Sequence, residues 1–85
     1  MLMPLTKIQN EVFIALHGYI ELHGYPPTVP ELSKEVGRKN VGGELLALRK
    51  KGWATKIEGQ GKRATLISDE AMGRIDEDKQ VSLNI

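Results

Sequence analysis

The hydrophobic pattern of this chain changes period at Gly52, and that change dictates the order of its secondary structure. Before Gly52 apolar residues recur at helical spacing; after it they alternate. Thr6-x-x-Gln9 is a capping-box pattern, in which hydroxyl and amide each satisfy an N–H left free at a helix start. Ile8, Val12, Phe13, Leu16, Tyr19 and Ile20 then mark one buried face. Gly24 supplies a stop, and Pro26-Pro27 prevent continuation by fixing φ and removing donors. A second capping box, Thr28-x-x-Glu31, opens a short helix with Pro30 in its first turn, Leu32 and Val36 inward, and Gly37 at its end. Asn40 is read as the N-cap of a third helix running to about Lys51 on a stripe of Val41, Leu45 and Leu48. Lys50 and Lys51 then suit its C-terminal dipole.

Beyond Gly52, Trp53, Thr55 and Ile57 alternate with Ala54, Lys56 and Glu58. Gly59-Gln60-Gly61 is a turn, and Lys62 to Ser68 read as the returning strand, with Ala64 and Leu66 on one face and Thr65 and Ile67 on the other. Three helices followed by a two-stranded β-hairpin predict an α+β winged helix-turn-helix over residues 1–68. Trp53 is the expected anchor between the third helix and the hairpin. Residues 69–85 are expected to be an acidic tail, partly ordered at most, since Gly73 and Asp76-Glu77-Asp78 favour solvation. Ser68-Asp69-Glu70 offer one further helical turn through Ile75, and Val81, Leu83 and Ile85 alternate as an edge strand does.

There is no cysteine, so the core must come from aliphatic packing, and thiolate metal sites and disulfides are excluded. No apolar run approaches the ~20 residues of a membrane span, and the first residues lack a secretory signal pattern. A cytoplasmic protein without membrane association is expected. Residues 34–63 hold nine basic residues against three acids, a net +6, while the segments on either side are net acidic. A basic middle between acidic ends is either a solvated face or a polyanion-binding surface. Enzymatic readings fail on inventory. His17 and His23 are off any helical metal-pair spacing, Ser33 and Ser68 have no evident base, and no phosphate-binding or nucleophile motif occurs. No cofactor, metal or catalytic residue is expected.

The stretch from Thr6 to Thr28 resembles the opening of the DNA-binding domain of the LexA family of bacterial SOS repressors. The likeness rests on the Thr6 cap, Gln9, Glu11-Val12-Phe13, Leu16, Ile20 and above all Gly24-x-Pro26-Pro27-Thr28. It continues through Glu31-Leu32, Val36-Gly37, Leu45-x-x-Leu48 and Lys51-Gly52 into the hairpin. The resemblance implies a double-stranded-DNA-binding transcriptional regulator, most simply a repressor, sequence-specific or semi-specific. Family members carry a second, self-cleaving serine–lysine peptidase domain that also dimerises them. This chain ends before one could begin, so neither autoproteolysis nor that dimer interface is expected. The segment between Gly37 and Gly52 is also a few residues shorter than in the family, a loss at the start of the recognition helix.

Docking of the third helix in the major groove makes Lys39, Asn40 and Glu44 candidates for base edges, with Arg38 and Lys39 also candidates for phosphates. Asn40 is alternatively only a cap. Gly42 and Gly43 each cost about 1 kcal/mol relative to alanine inside a helix. Either they permit close approach to DNA or to a protein, or the helix starts later, near Glu44. Thr28 offers its backbone N–H to a phosphate, or merely a capping hydroxyl. Lys62 and Arg63 suit a wing touching the minor groove or its phosphates, or are ordinary surface charge. Leu46, outward on the third helix beside the glycines, raises an alternative reading in which Gly42, Gly43 and Leu46 bind a protein such as polymerase. A homodimer formed through residues 69–85 is the economical route to two DNA half-sites.

Overall fold

A computed structural model describes residues 2–57, 59, 61 and 63–75. Three helices, α1 (Lys7–His23), α2 (Val29–Val36) and α3 (Gly42–Lys50), precede an antiparallel pair, β1 (Ala54–Lys56) and β2 (Thr65–Ile67). Residues 69–75 form a further helix, α4. The fold is the α+β winged helix-turn-helix that the change of period implies.

Both capping boxes are in place. Thr6 Oγ1 accepts from the Gln9 N–H while Gln9 Oε1 accepts from the Thr6 N–H, at 3.2 and 3.1 Å. Thr28 and Glu31 repeat the exchange at 3.3 and 2.9 Å. Gly24 and Gly37 end α1 and α2 in the left-handed region, at φ 78° and 71°, which glycine enters without steric cost.

The core joins Val12, Phe13 and Leu16 of α1 to Leu32 of α2, Val41, Leu45 and Leu48 around α3, then Ala54, Ile67 and Ala71. Leu16, Leu32, Leu48, Val12 and Val41 are fully buried. Each such side chain stabilises the fold by about 1.5–3 kcal/mol relative to exposure. Phe13 meets Trp53 edge to face, with ring centroids 5.1 Å apart, so Trp53 links α1 to the start of the hairpin.

The helical turn that Ser68-Asp69-Glu70 offer through Ile75 is present: Ser68 Oγ accepts from the Ala71 N–H at 3.2 Å and donates to Gly52 O at 2.7 Å, which caps α4 and ties it to the end of α3. Ala71 is fully buried, and Met72 and Ile75 pack against the core, so burial overrides the weak helical propensity around Gly73. Val81, Leu83 and Ile85 lie outside the described residues. Other local expectations are corrected. The N-cap of α3 is Val41, one residue later than expected, and α3 ends at Lys50. Lys51 is the C-cap residue of α3, and its side chain reaches the N-terminal segment. Its ammonium donates to Pro4 O at 2.9 Å and to Gln9 Oε1 at 2.6 Å. In the hairpin the buried residues are Ala54 and its cross-strand partner Ile67, together with Ala64 just before β2. Strands of three residues are too short for strict alternation to define a solvent face.

Candidate nucleic-acid interface

The α2–α3 joint is set by one hydroxyl. Ser33, 3 % exposed, is the buried polar residue of the core among the described residues. Its Oγ donates to Val29 O within α2 at 2.7 Å and accepts from the Val41 N–H at 3.0 Å. The amide at the start of α3 is therefore held by a side chain inside α2, which fixes where α3 begins. Sequence reasoning missed Ser33, although its place four residues after Val29 and beside Leu32 was a signal for back-bonding into the helix.

Asn40 reaches forward instead of capping at its own position, and its Oδ1 accepts from the Gly42 N–H at 2.7 Å. A Cβ on Gly42 would lie 3.0 Å from that oxygen, so glycine makes room for the bond. Gly43 differs: a Cβ there would meet nothing within 4 Å. The helix does begin at the glycines and not at Glu44. Val41, Leu45 and Leu48 face the core, whereas Gly43, Leu46 and Lys50, spaced three and seven residues on, are exposed and share the opposite face. Glu44 is half-buried between these faces.

The basic residues divide into committed and available ones. Arg38 pairs with Glu11 of α1 at 3.6 Å across a half-exposed surface, which ties the α2–α3 turn to α1. Lys39, Lys34, Lys50 and Lys56 are exposed, and among the described residues they form no ion pair. Thr28's N–H, a candidate phosphate donor, is already given to Glu31.

Arg63 is held by a cluster of groups at the base of the wing. Its Nη1 lies 2.7 Å from Glu31 Oε1 and its Nη2 donates to Glu31 Oε2 at 2.9 Å, a bidentate pair. Nη1 also donates to Pro26 O at 3.2 Å, and the guanidinium lies 5.0 Å from the centre of the Tyr25 ring. Tyr25 in turn packs with Tyr19 and His23. The hydrogen bond from Arg63, then that from the Thr28 amide, holds the Glu31 carboxyl down at about 2. The same carboxylate, then the Tyr19 hydroxyl, raises Arg63 above its ordinary value. Arg63 thus anchors the hairpin to the α1–α2 turn. Lys62 lies outside the described residues.

His17 Nε2 sits 3.2 Å from Glu21 Oε1, and His23 stacks on Tyr19 with centroids 4.2 Å apart. Among the described residues, no three His, Asp or Glu side chains converge as metal ligands, and no helix is long and apolar enough to cross a membrane.

Comparison with known proteins places the match on this same unit. The model of the LexA DNA-binding domain family matches residues 2–64. A LexA repressor of Actinobacillus succinogenes is 38% identical over 71 residues, covering 80% of this chain and 34% of the relative. One of Geobacter metallireducens is 35% identical over 66 residues, covering 74% and 33%. One of Staphylococcus aureus is 26% identical over 84 residues, covering 95% and 41%. The chain spans between a third and two fifths of the length of these curated relatives.

Proposed function

Because the chain belongs to the LexA DNA-binding domain family, we propose that it binds double-stranded DNA as a transcriptional regulator and represses by occluding a promoter. The observation that carries this reading is the α2–α3 unit. A buried hydroxyl fixes the start of α3, whose outward face is bare at Gly43 and flanked by the exposed cations Lys39 and Lys50. In this reading α3 enters the major groove, Lys39 and Lys62 hold phosphates, and Arg38 exchanges its exposed Glu11 partner for one. Asn40, Gly42, Gly43 and Glu44 form the segment nearest the bases. Thr28 and Arg63 act from behind, Thr28 by starting α2 and Arg63 by fixing the wing's angle. One module of this size buries only about 600–1,000 Å² on DNA, so nanomolar recognition takes two copies on two half-sites.

Mobility-shift titration on mixed duplex DNA over a salt series tests the reading. With about five phosphates neutralised, log K falls against log salt with a slope near −4 to −5. Absence of binding to any duplex at low salt, or a flat salt dependence, refutes it.

A further inference from the structure

From the outward face of α3 we infer that Leu46 reads DNA by seating its methyl groups against thymine C5-methyls in the major groove. The inference rests on the DNA-binding reading above and names the base it recognises. Leu46 is 43 % exposed on a helix whose inner stripe, Val41, Leu45 and Leu48, is 5 % exposed or less. Its place on the outer face is therefore set by the packing of its own helix. It is not displaced core.

Near the start of α3, acceptor groups for base edges are few. Asn40 spends its Oδ1 on the Gly42 N–H, and Glu44 lies to one side. Gly43, three residues before Leu46 on the same face, has no Cβ, and the space a Cβ would take is empty. A helix bare at that point sinks further into a groove before its backbone meets a base edge. The next side chain on that face to arrive is Leu46. Of the four base pairs' major-groove edges, only those with thymine present an apolar group, the C5-methyl.

Charge distinguishes this leucine from two exposed aliphatic residues on the outer side of α1. Leu22 and Ile14 of α1 are more exposed, at 79 % and 61 %, but Glu21 adjoins Leu22 and Glu11 lies one turn before Ile14. Leu46 follows the Arg38-Lys39 turn and shares its face with Lys50, four residues on. An apolar centre between cations suits a groove with methyls on its floor and phosphates along its rims.

The test begins with selection of preferred duplexes from a random pool by the full chain, followed by replacement of each thymine in turn with deoxyuridine. Deoxyuridine keeps the hydrogen-bonding edge and removes only the methyl. At one or two positions per half-site the wild-type protein should bind about fourfold more weakly to deoxyuridine, the change expected for one methyl-sized group. L46A should bind both duplexes alike at those positions, with its circular dichroism unchanged because Leu46 lies outside the core. Equal binding of thymine and deoxyuridine duplexes by the wild type overturns the inference and leaves DNA binding intact. Retention of the discrimination by L46A overturns it as well. Failure to bind any duplex sinks the DNA-binding reading itself.

Discussion

The two joints that position the candidate interface are built from opposite materials. The α2–α3 joint is held by a neutral hydroxyl at 3 % exposure, which gives one hydrogen bond and takes another. The wing is held by an ion pair whose side chains are 40 % and 37 % exposed, where water and salt compete with it. A buried neutral bond is indifferent to ionic strength and to pH, whereas a half-exposed ion pair answers to both. The start of α3 is thus set by a contact insensitive to the medium, and the wing's anchor is conditional on it.

Removing the hydroxyl should have the largest effect. Ser33→Ala leaves the Val41 N–H buried without a partner, at a cost of about 1–3 kcal/mol in urea unfolding. That cost should be the same in dilute buffer and in concentrated salt. A loss that faded with salt would mean that the joint is not governed by this bond.

Arg63→Ala should lower the melting temperature by less than Ser33→Ala does. Its deficit should shrink toward 1 M salt, where the screening length falls to about 3 Å. If Arg63→Ala proved the more damaging of the two, the contrast between the joints would be reversed.

The smallest effect isolates the charge. Glu31→Gln preserves the capping box, since glutamine serves at that position, and removes only the ion pair. The folded-state carboxyl is depressed from 4.5 to about 2. Its contribution is therefore complete above about 4.5 and is lost as pH falls through about 2. The gap in thermal midpoint between wild type and Glu31→Gln should be constant near neutrality and close over that acid range. A gap that stayed at its neutral-pH size down to pH 2 would show that the titrating group is another.

What could be read from the sequence was what is local. Thr6 with Gln9, and Thr28 with Glu31, each complete their bonds within three residues, so the pattern alone reveals them. Arg63 looked like a DNA-facing cation because its partners, Glu31, Pro26 and Tyr19, lie 32 to 44 residues away. Glu31 was legible as a cap and illegible as an ion-pair partner. Ser33 stood between a leucine and a lysine like any surface serine, and only the fold brings Val41 to it. α4 was legible only as an alternative to a solvated tail, because Gly73 and the acids after it weaken it locally, and what orders it is the burial of Ala71 against residues far earlier in the chain. For the interface, the basic segment and the glycines were visible, but which cations stay available is decided by tertiary pairing.

The chain has one tryptophan, and its position makes the protein its own spectroscopic reporter. The Trp53 indole N–H donates to Met3 O at 2.6 Å, its ring meets Phe13 of α1, and Arg74 of α4 lies 5.6 Å from its centre. Three segments remote in sequence converge on one chromophore, so its emission will follow their assembly without any label. None of those neighbours belongs to the α3 surface assigned to DNA. Fluorescence will accordingly register folding while staying nearly silent to occupancy of that surface, which separates the two equilibria in a single cuvette.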